Sequence, residues 1–237
     1  MRPIVLIHGG GFDSRCWDLL VPHLVGPVLA VDLPGRGHHP APSAEVTLAG
    51  CAASVVDDVD EAGFDDIVLV GHSLAGCSMP ATIGRLGDRV RHAVFVACTV
   101  PEDGTSSLDT LEPEIQAMAR AAIEGEGSGV LDSAMAKAMF GNDLDDEQFA
   151  WCVERMVPEA PTLTVAPVDL APLRRPIPRT WVRTLHDAIV APDKQLRFAR
   201  NVGDCPVLDL DAAHMAMISR PSELARMLNG IAAAERD

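Results

Sequence analysis

Ile67-Val68-Leu69-Val70-Gly71-His72-Ser73-Leu74-Ala75-Gly76 is the stretch on which the reading of this chain turns. Four apolar, mostly β-branched residues closed by a glycine read as a strand buried on both faces. Small residues then surround a serine, and a helical pattern begins near Leu74. A chain that folds back so tightly tolerates only small side chains two positions before and after the apex. Gly71 and Ala75 meet that demand, with Gly76 adding room, and the turn reads as a nucleophile elbow. Alanine at 75 departs from the usual second glycine, but a methyl is small enough. The start of the following helix aims N–H groups and the positive end of its dipole at Ser73. The plainer alternative is an ordinary strand-turn-helix joint, which the flanking pattern disfavours. Pro80, inside that helix, predicts a kink.

Outward from this turn, short β-branched runs alternate with helix-length stretches. Ile4 to His8, Val28 to Asp32, Ile67 to Gly71, Ala93 to Ala97, Thr180 to Thr184 and Pro206 to Leu210 read as strands. Cys16 to Leu24, Leu48 to Ala62, Leu74 to Leu86, Asp193 to Arg200 and Pro221 to Ala233 read as helices. The succession predicts an α/β fold: a mainly parallel sheet of about six strands covered by helices on both faces. One interval breaks the rhythm. Residues 102–178 carry no convincing strand but three amphipathic stretches, Glu112 to Ile123, Val130 to Phe140 and Asp146 to Met156, and end in a proline-rich passage suited to an extended return. The expected organisation is a core of residues 1–101 and 179–237, interrupted by a helical lid at 102–178 over the carboxyl ends of the strands.

Composition narrows the function classes. The 237 residues are 48% hydrophobic, enough to bury one large core. A formal net charge of -15 repels polyanions, so neither nucleic acid nor an acidic membrane surface is an expected partner. The apolar run after Met1-Arg2-Pro3 is too short for a signal-peptide core or a membrane span, which points to the cytoplasm. Six cysteines without any C-x-x-C spacing fit reduced, packed thiols better than disulfides or a zinc site. The acidic clusters at 57–61 and 143–147 lack the spacing of a calcium loop, and His38-His39 reads as a solvated pair rather than a metal site.

A serine hydroxyl needs a base. Of eight histidines, His214 lies just after the last strand, in a loop able to reach over the elbow. His8 and His72 flank the site and read as residues that orient the loops. Asp187 follows the fifth strand by a few residues, so its carboxylate can approach the same rim. Among its rivals, Asp193 reads as a helix cap, while Asp209 and Asp211 lie too near His214 in sequence. The chain order Ser73, Asp187, His214 is that of the serine, acid and histidine of hydrolases built on an open α/β sheet. At the end of the first strand, His8-Gly9-Gly10-Gly11 lets main-chain N–H groups approach a substrate oxygen. Gly10, with Leu74 after the nucleophile, supplies the two oxyanion donors. A dinucleotide-binding loop is the alternative, but the G-x-G-x-x-G spacing is missing.

These residues resemble the α/β-hydrolase superfamily, and within it the plant-type methylesterase and hydroxynitrile lyase branch with its bacterial relatives. The resemblance spans nearly the whole chain and is most specific at Val68 to Leu74, Ala93 to Ala97, His186 to Ile189 and His214 to Met217. It implies the α/β-hydrolase fold, the triad Ser73, Asp187 and His214, and the oxyanion donors of Gly10 and Leu74. It implies no cofactor and no metal. Lyases of that branch carry threonine at the position of Gly9 and lysine at that of Met215, so ester hydrolysis through an acyl-enzyme is the better inference. Its partner is a small-molecule substrate, a small to medium apolar ester. Gly9, Gly11, His72, Trp151 and Met215 are candidate substrate contacts, and a homodimer is left open. Two other readings stay open: a C–C cleaving or non-hydrolytic lyase on the same scaffold, and a non-catalytic ligand-binding module.

Overall fold

Six strands form one all-parallel sheet in the computed structural model, which describes residues 1–125 and 133–234. They are β1 (Ile4–Ile7), β2 (Val28–Val31), β3 (Ile67–His72), β4 (Val90–Val96), β5 (Arg179–Thr184) and β6 (Val207–Leu210), in the spatial order β2-β1-β3-β4-β5-β6. Every residue of β1 and β3 is buried, which is why these central strands read as unbroken apolar runs. The edge strands β2 and β6 are largely half-buried or exposed. Because successive side chains point to opposite faces, Val5, Ile7, Leu69 and Phe95 enter one apolar layer, while Leu6, Val68, Val70 and Val94 enter the other.

Helices α1 (Leu48–Glu61) and α2 (Ala75–Leu86) cover the first layer, joined by α7 (Pro192–Val202). The short α8 (Ala216–Ser219) and the long α9 (Pro221–Ala233) cover the second. Between β4 and β5 lie α3 (Pro113–Glu124), α4 (Ser133–Phe140), α5 (Asp146–Val153) and α6 (Thr162–Val165), with no strand among the described residues. Phe140, Leu144 and Cys152 from this interval pack into the second layer, and Ala160 and Leu163 into the first. Among the described residues no helix is long and apolar enough to cross a membrane.

Four details differ from the sequence reading. The stretch from Cys16 to Leu24 is not one helix but two 3-10 turns, Ser14–Trp17 and Val21–His23. Pro22 has no N–H to continue an α-helix there. The β4 strand begins at Val90, three residues earlier than expected, through an irregularity in its register with Ile67 and Val68. Helix α7 opens on Pro192, so Asp193 sits inside its first turn instead of capping it. The proline-rich return holds α6 and a 3-10 turn, Ala171–Arg174. Pro80 lies inside α2, where the sequence places it. The first residues of the expected Val130 to Phe140 helix lie outside the described residues.

The chain leaves β1 for β2 on one side and crosses back to β3 on the other. Open parallel sheets bind ligands at such a switch point, outside the carboxyl ends of the diverging strands. Gly9, Gly10 and Gly11 follow β1 there, and Ser73 follows β3.

Candidate active site

Ser73 has φ of 54°, a left-handed conformation costly for any residue with a Cβ, about 1–3 kcal/mol. Hydrogen bonds hold it there. Its N–H donates to the Val96 carbonyl at 3.1 Å, and its own carbonyl accepts from Thr99 N–H at 2.9 Å and Gly76 N–H at 3.0 Å. The turn presents the hydroxyl at the open end of the sheet, ahead of α2. A Cβ on Gly71 would stand 2.2 Å from Met79 Sδ, and one on Gly76 would stand 2.5 Å from the Thr99 carbonyl oxygen. At 76 the obstacle is backbone, so glycine is needed there; at 71 a Cβ would force the Met79 side chain to move, while the methyl of Ala75 is accommodated.

His214 follows β6 and is 1% exposed. Its Nε2 lies 2.9 Å from Ser73 Oγ and its Nδ1 lies 2.8 Å from Asp187 Oδ2. A carboxylate only accepts, so Nδ1 carries the proton and Nε2 is free to take the one on Ser73 Oγ. Asp187 is fixed from four sides. The N–H groups of Ile189 and Val190 donate to Oδ1, each at 2.8 Å, and Thr184 Oγ1 donates to Oδ2 at 2.9 Å beside the imidazole. Burial alone would raise its pKa, but His214 and the two backbone N–H groups outweigh that and hold it below the usual carboxylate range. Gln195, which sequence reasoning missed, orders the layer behind. Its amide donates to the Thr184 carbonyl and hydroxyl and to the Val190 carbonyl, and accepts from Thr184 N–H.

The rival carboxylates are engaged elsewhere. Asp209 pairs with Arg183 through two 2.7 Å bonds, and Asp211 lies 2.6 Å from His186. His39, read as a solvated partner of His38, pairs with Asp58 at 2.9 Å.

Both flanking histidines are buried and tie loops together. His8 Nδ1 donates to the Gly9 carbonyl at 2.9 Å, and its Nε2 accepts from Leu33 N–H at 3.1 Å. Burial, reinforced by Arg36, pushes its pKa down to about 4. His72 Nε2 donates to the carbonyl of His214 at 2.9 Å, linking the elbow to the His214 loop, and among the described residues its buried Nδ1 has no protein partner. Burial and the neighbouring His214 push its pKa down to about 3.

Gly10 and Leu74 both line a small cavity of about 10 Å³ beside the elbow. Among the described residues no protein acceptor takes the N–H of either. A Cβ on Gly9 would stand 2.8 Å from Ser73 Cβ, so the closeness of the β1 loop to the serine depends on that glycine. Gly11 has φ of 74°. Met215 is fully buried in the second apolar layer, and Trp151 packs at that layer's edge with the Arg155 guanidinium 3.7 Å over its ring. The rings near His214 are His72, at 4.7 Å between centroids, and Phe140, at 6.0 Å.

Several polar anchors come from the interval between β4 and β5, and single-sequence pattern gives no sign of them. Asp143 Oδ2 accepts from Ala213 N–H at 2.7 Å, next to His214, and Asn142 Nδ2 donates to the His186 carbonyl at 2.8 Å, next to Asp187. Val157 N–H donates to the Gly11 carbonyl at 2.8 Å, and Glu159 Oε2 accepts from Gly11 N–H at 2.9 Å.

The chain is similar to methylesterase 18 of Arabidopsis thaliana, 26% identical over 256 residues, covering 94% of each protein. Among solved structures it is similar to an extracellular α/β-hydrolase from a Paenibacillus species, with a TM-score of 0.88 at 22% identity over 100% of both chains. It is also similar to a pyrethroid hydrolase from Sphingobium faniae, with a TM-score of 0.81 at 22% identity over 98% of each. The family model described as alpha/beta hydrolase family matches residues 4–227. With the sheet order, the strained serine after β3 and a match running almost end to end, the chain belongs to the alpha/beta hydrolase family.

Proposed function

We propose that this chain is a serine-dependent carboxylic ester hydrolase, with Ser73 as nucleophile, His214 as general base and acid, and Asp187 as the residue that orients the imidazole and stabilises the imidazolium. The observation that carries this reading is the unbroken series of contacts from Ser73 Oγ through His214 to Asp187, built on a serine held in a strained backbone conformation. His214 Nε2 takes the hydroxyl proton as Oγ attacks the ester carbonyl, and the imidazolium faces the Asp187 carboxylate. The free N–H groups of Gly10 and Leu74 receive the negative charge on the carbonyl oxygen. The imidazolium then gives its proton to the departing alcohol. Water, deprotonated by the same nitrogen, releases the acid from Ser73. The names of similar proteins, methylesterases and hydrolases, support the same bond as the target.

Gly9 and Met215 favour ester hydrolysis over cyanohydrin cleavage. Threonine at position 9 would press its Cβ against Ser73, and lysine at 215 would bury a cation in the apolar layer. In this reading the described parts of the 102–178 interval form a lid over the site, with the Phe140 ring centroid 6.0 Å from that of His214. Five of the six cysteines are buried free thiols, which suits a reducing cytoplasm.

The test is turnover of p-nitrophenyl acetate or butyrate, with an acyl-Ser73 adduct trapped by rapid quench and mass spectrometry, abolished in Ser73→Ala. Cyanide release from mandelonitrile with no acyl adduct from any ester would overturn the assignment.

A further inference from the structure

Glu159 brings a carboxylate from the 102–178 interval to the glycine loop after β1. Its Oε2 accepts from Gly11 N–H at 2.9 Å and would lie 2.8 Å from a Cβ on Gly10. Together with the bond from Val157 N–H to the Gly11 carbonyl, this grips Gly11 at both its polar backbone groups. The peptide so held is the one after the Gly10 N–H, in a run of three glycines that fixes its own geometry poorly.

A bare carboxylate at that place would oppose the negative charge forming on a substrate carbonyl oxygen. Arg36, in the loop after β2, supplies the opposite charge: its Nη2 pairs with Glu159 Oε1, and its side chain is only 2% exposed. The loop is set to point Arg36 inward, since Asp32 accepts from Ser14 and His38 N–H groups at 2.9 Å each, and a Cβ on Gly37 would collide with that carboxylate. Arg36, Glu159, Gly10 and Leu74 line one cavity, so the ion pair lies beside both donors.

We propose that Glu159 and Arg36 are positioning residues for the oxyanion hole: Glu159 locks the Gly10–Gly11 peptide, and Arg36 cancels its charge where the substrate oxygen becomes negative. This rests on the reading of Gly10 and Leu74 as the oxyanion donors. Neither residue touches the reacting atoms, so both act through the glycine loop.

The experiment measures kcat and KM for p-nitrophenyl acetate per active site, counted by end-point titration with a fluorophosphonate, alongside thermal unfolding. Arg36→Met leaves the carboxylate uncompensated, and kcat falls about thirtyfold with KM changed less than threefold; loss of a direct oxyanion donor costs about a hundredfold or more. Glu159→Leu, which removes the anchor, lowers kcat about tenfold or more, again with little change in KM. The double variant Arg36→Met/Glu159→Gln removes both charges but keeps an acceptor for Gly11 N–H, and recovers kcat to within about fivefold of the parent. A purely structural pair would lower the melting temperature and the count of active sites, leave kcat per site unchanged, and show no rescue. Unchanged kcat per site in Arg36→Met, or a double variant no faster than Arg36→Met, overturns the proposal. Undiminished turnover in Ser73→Ala is a separate result that overturns the underlying esterase reading and the proposal with it.

Discussion

Acidification should weaken this fold through two histidines that no solvent reaches. His8 and His72 are held neutral, with pKa values pushed down to about 4 and about 3, while in the unfolded chain each returns to about 6.5. Between those limits the unfolded state binds protons that the native state refuses, so stability falls as pH drops below 6.5, and each loss levels off only below the native pKa. At pH 5 an unfolded histidine is almost fully protonated and a native one hardly at all, which amounts to about 2 kcal/mol each, or about 4 kcal/mol together relative to pH 7.5. For a domain whose net stability is on the order of 5–15 kcal/mol, that is a large share. The assay is urea unfolding at pH 7.5, 6.5, 5.5 and 5.0, comparing the parent with His72→Gln. Glutamine keeps a donor for the His214 carbonyl but does not titrate, and carboxylate effects common to both proteins cancel. The parent should lose about 2 kcal/mol more than the variant between pH 7.5 and pH 5. Parallel stability curves through that window would show that His72 is not held neutral and would refute the reasoning.

Three further outcomes follow from the site. Asp187→Asn should place its oxygen toward the Ile189 and Val190 N–H groups and its amide toward His214, imposing the wrong tautomer; kcat should fall on the order of ten-thousandfold, and steady-state kinetics showing that loss in Asp211→Asn instead would contradict the assignment. Gly76→Ala should destabilise by about 1–3 kcal/mol and disturb the elbow, because its methyl meets the Thr99 backbone, whereas Ala75→Gly should cost no more than about 1 kcal/mol; calorimetry showing the reverse order would place the tight contact elsewhere. Asp143→Ala should strand the Ala213 N–H next to the base and lower kcat about tenfold with KM little changed, and an unaffected kcat would remove Asp143 from the support of His214.

The features legible in the sequence are those with a local pattern. Ile67 to Val70 is apolar on both faces because β3 is flanked by β1 and β4 and covered on both sides, and Gly71 and Ser73 announce the turn after it. Asp187 and His214 are legible because each follows a strand end within a few residues, where chain order and spatial order coincide. What escaped the reading depends on contacts between distant segments. Glu159 and Gly11 are 148 residues apart, Asp143 and Ala213 are 70 apart, and nothing about an isolated acidic residue distinguishes a solvated side chain from one that holds a loop. The need for glycine at 76 is hidden for the same reason: the carbonyl it must avoid belongs to Thr99, outside the turn motif. Pro22, by contrast, is a local signal, and its missing N–H divides the stretch from Cys16 to Leu24.

The anchors at Asn142 and Asp143 and at Val157 and Glu159 bracket α5. The interval therefore resembles a bridge deck with its piers set in the catalytic loops: the span between them can be recomposed while the piers stay where they are. Transplanting a whole insertion from a relative with a different preference would move the piers and misalign the base and the glycine loop together. Exchanging only the solvent-facing residues of 146–153 would leave both footings in place. Change inside the span, by laboratory selection or by natural drift, is thus the kind this scaffold absorbs without shifting the loops that carry Gly11 and His214.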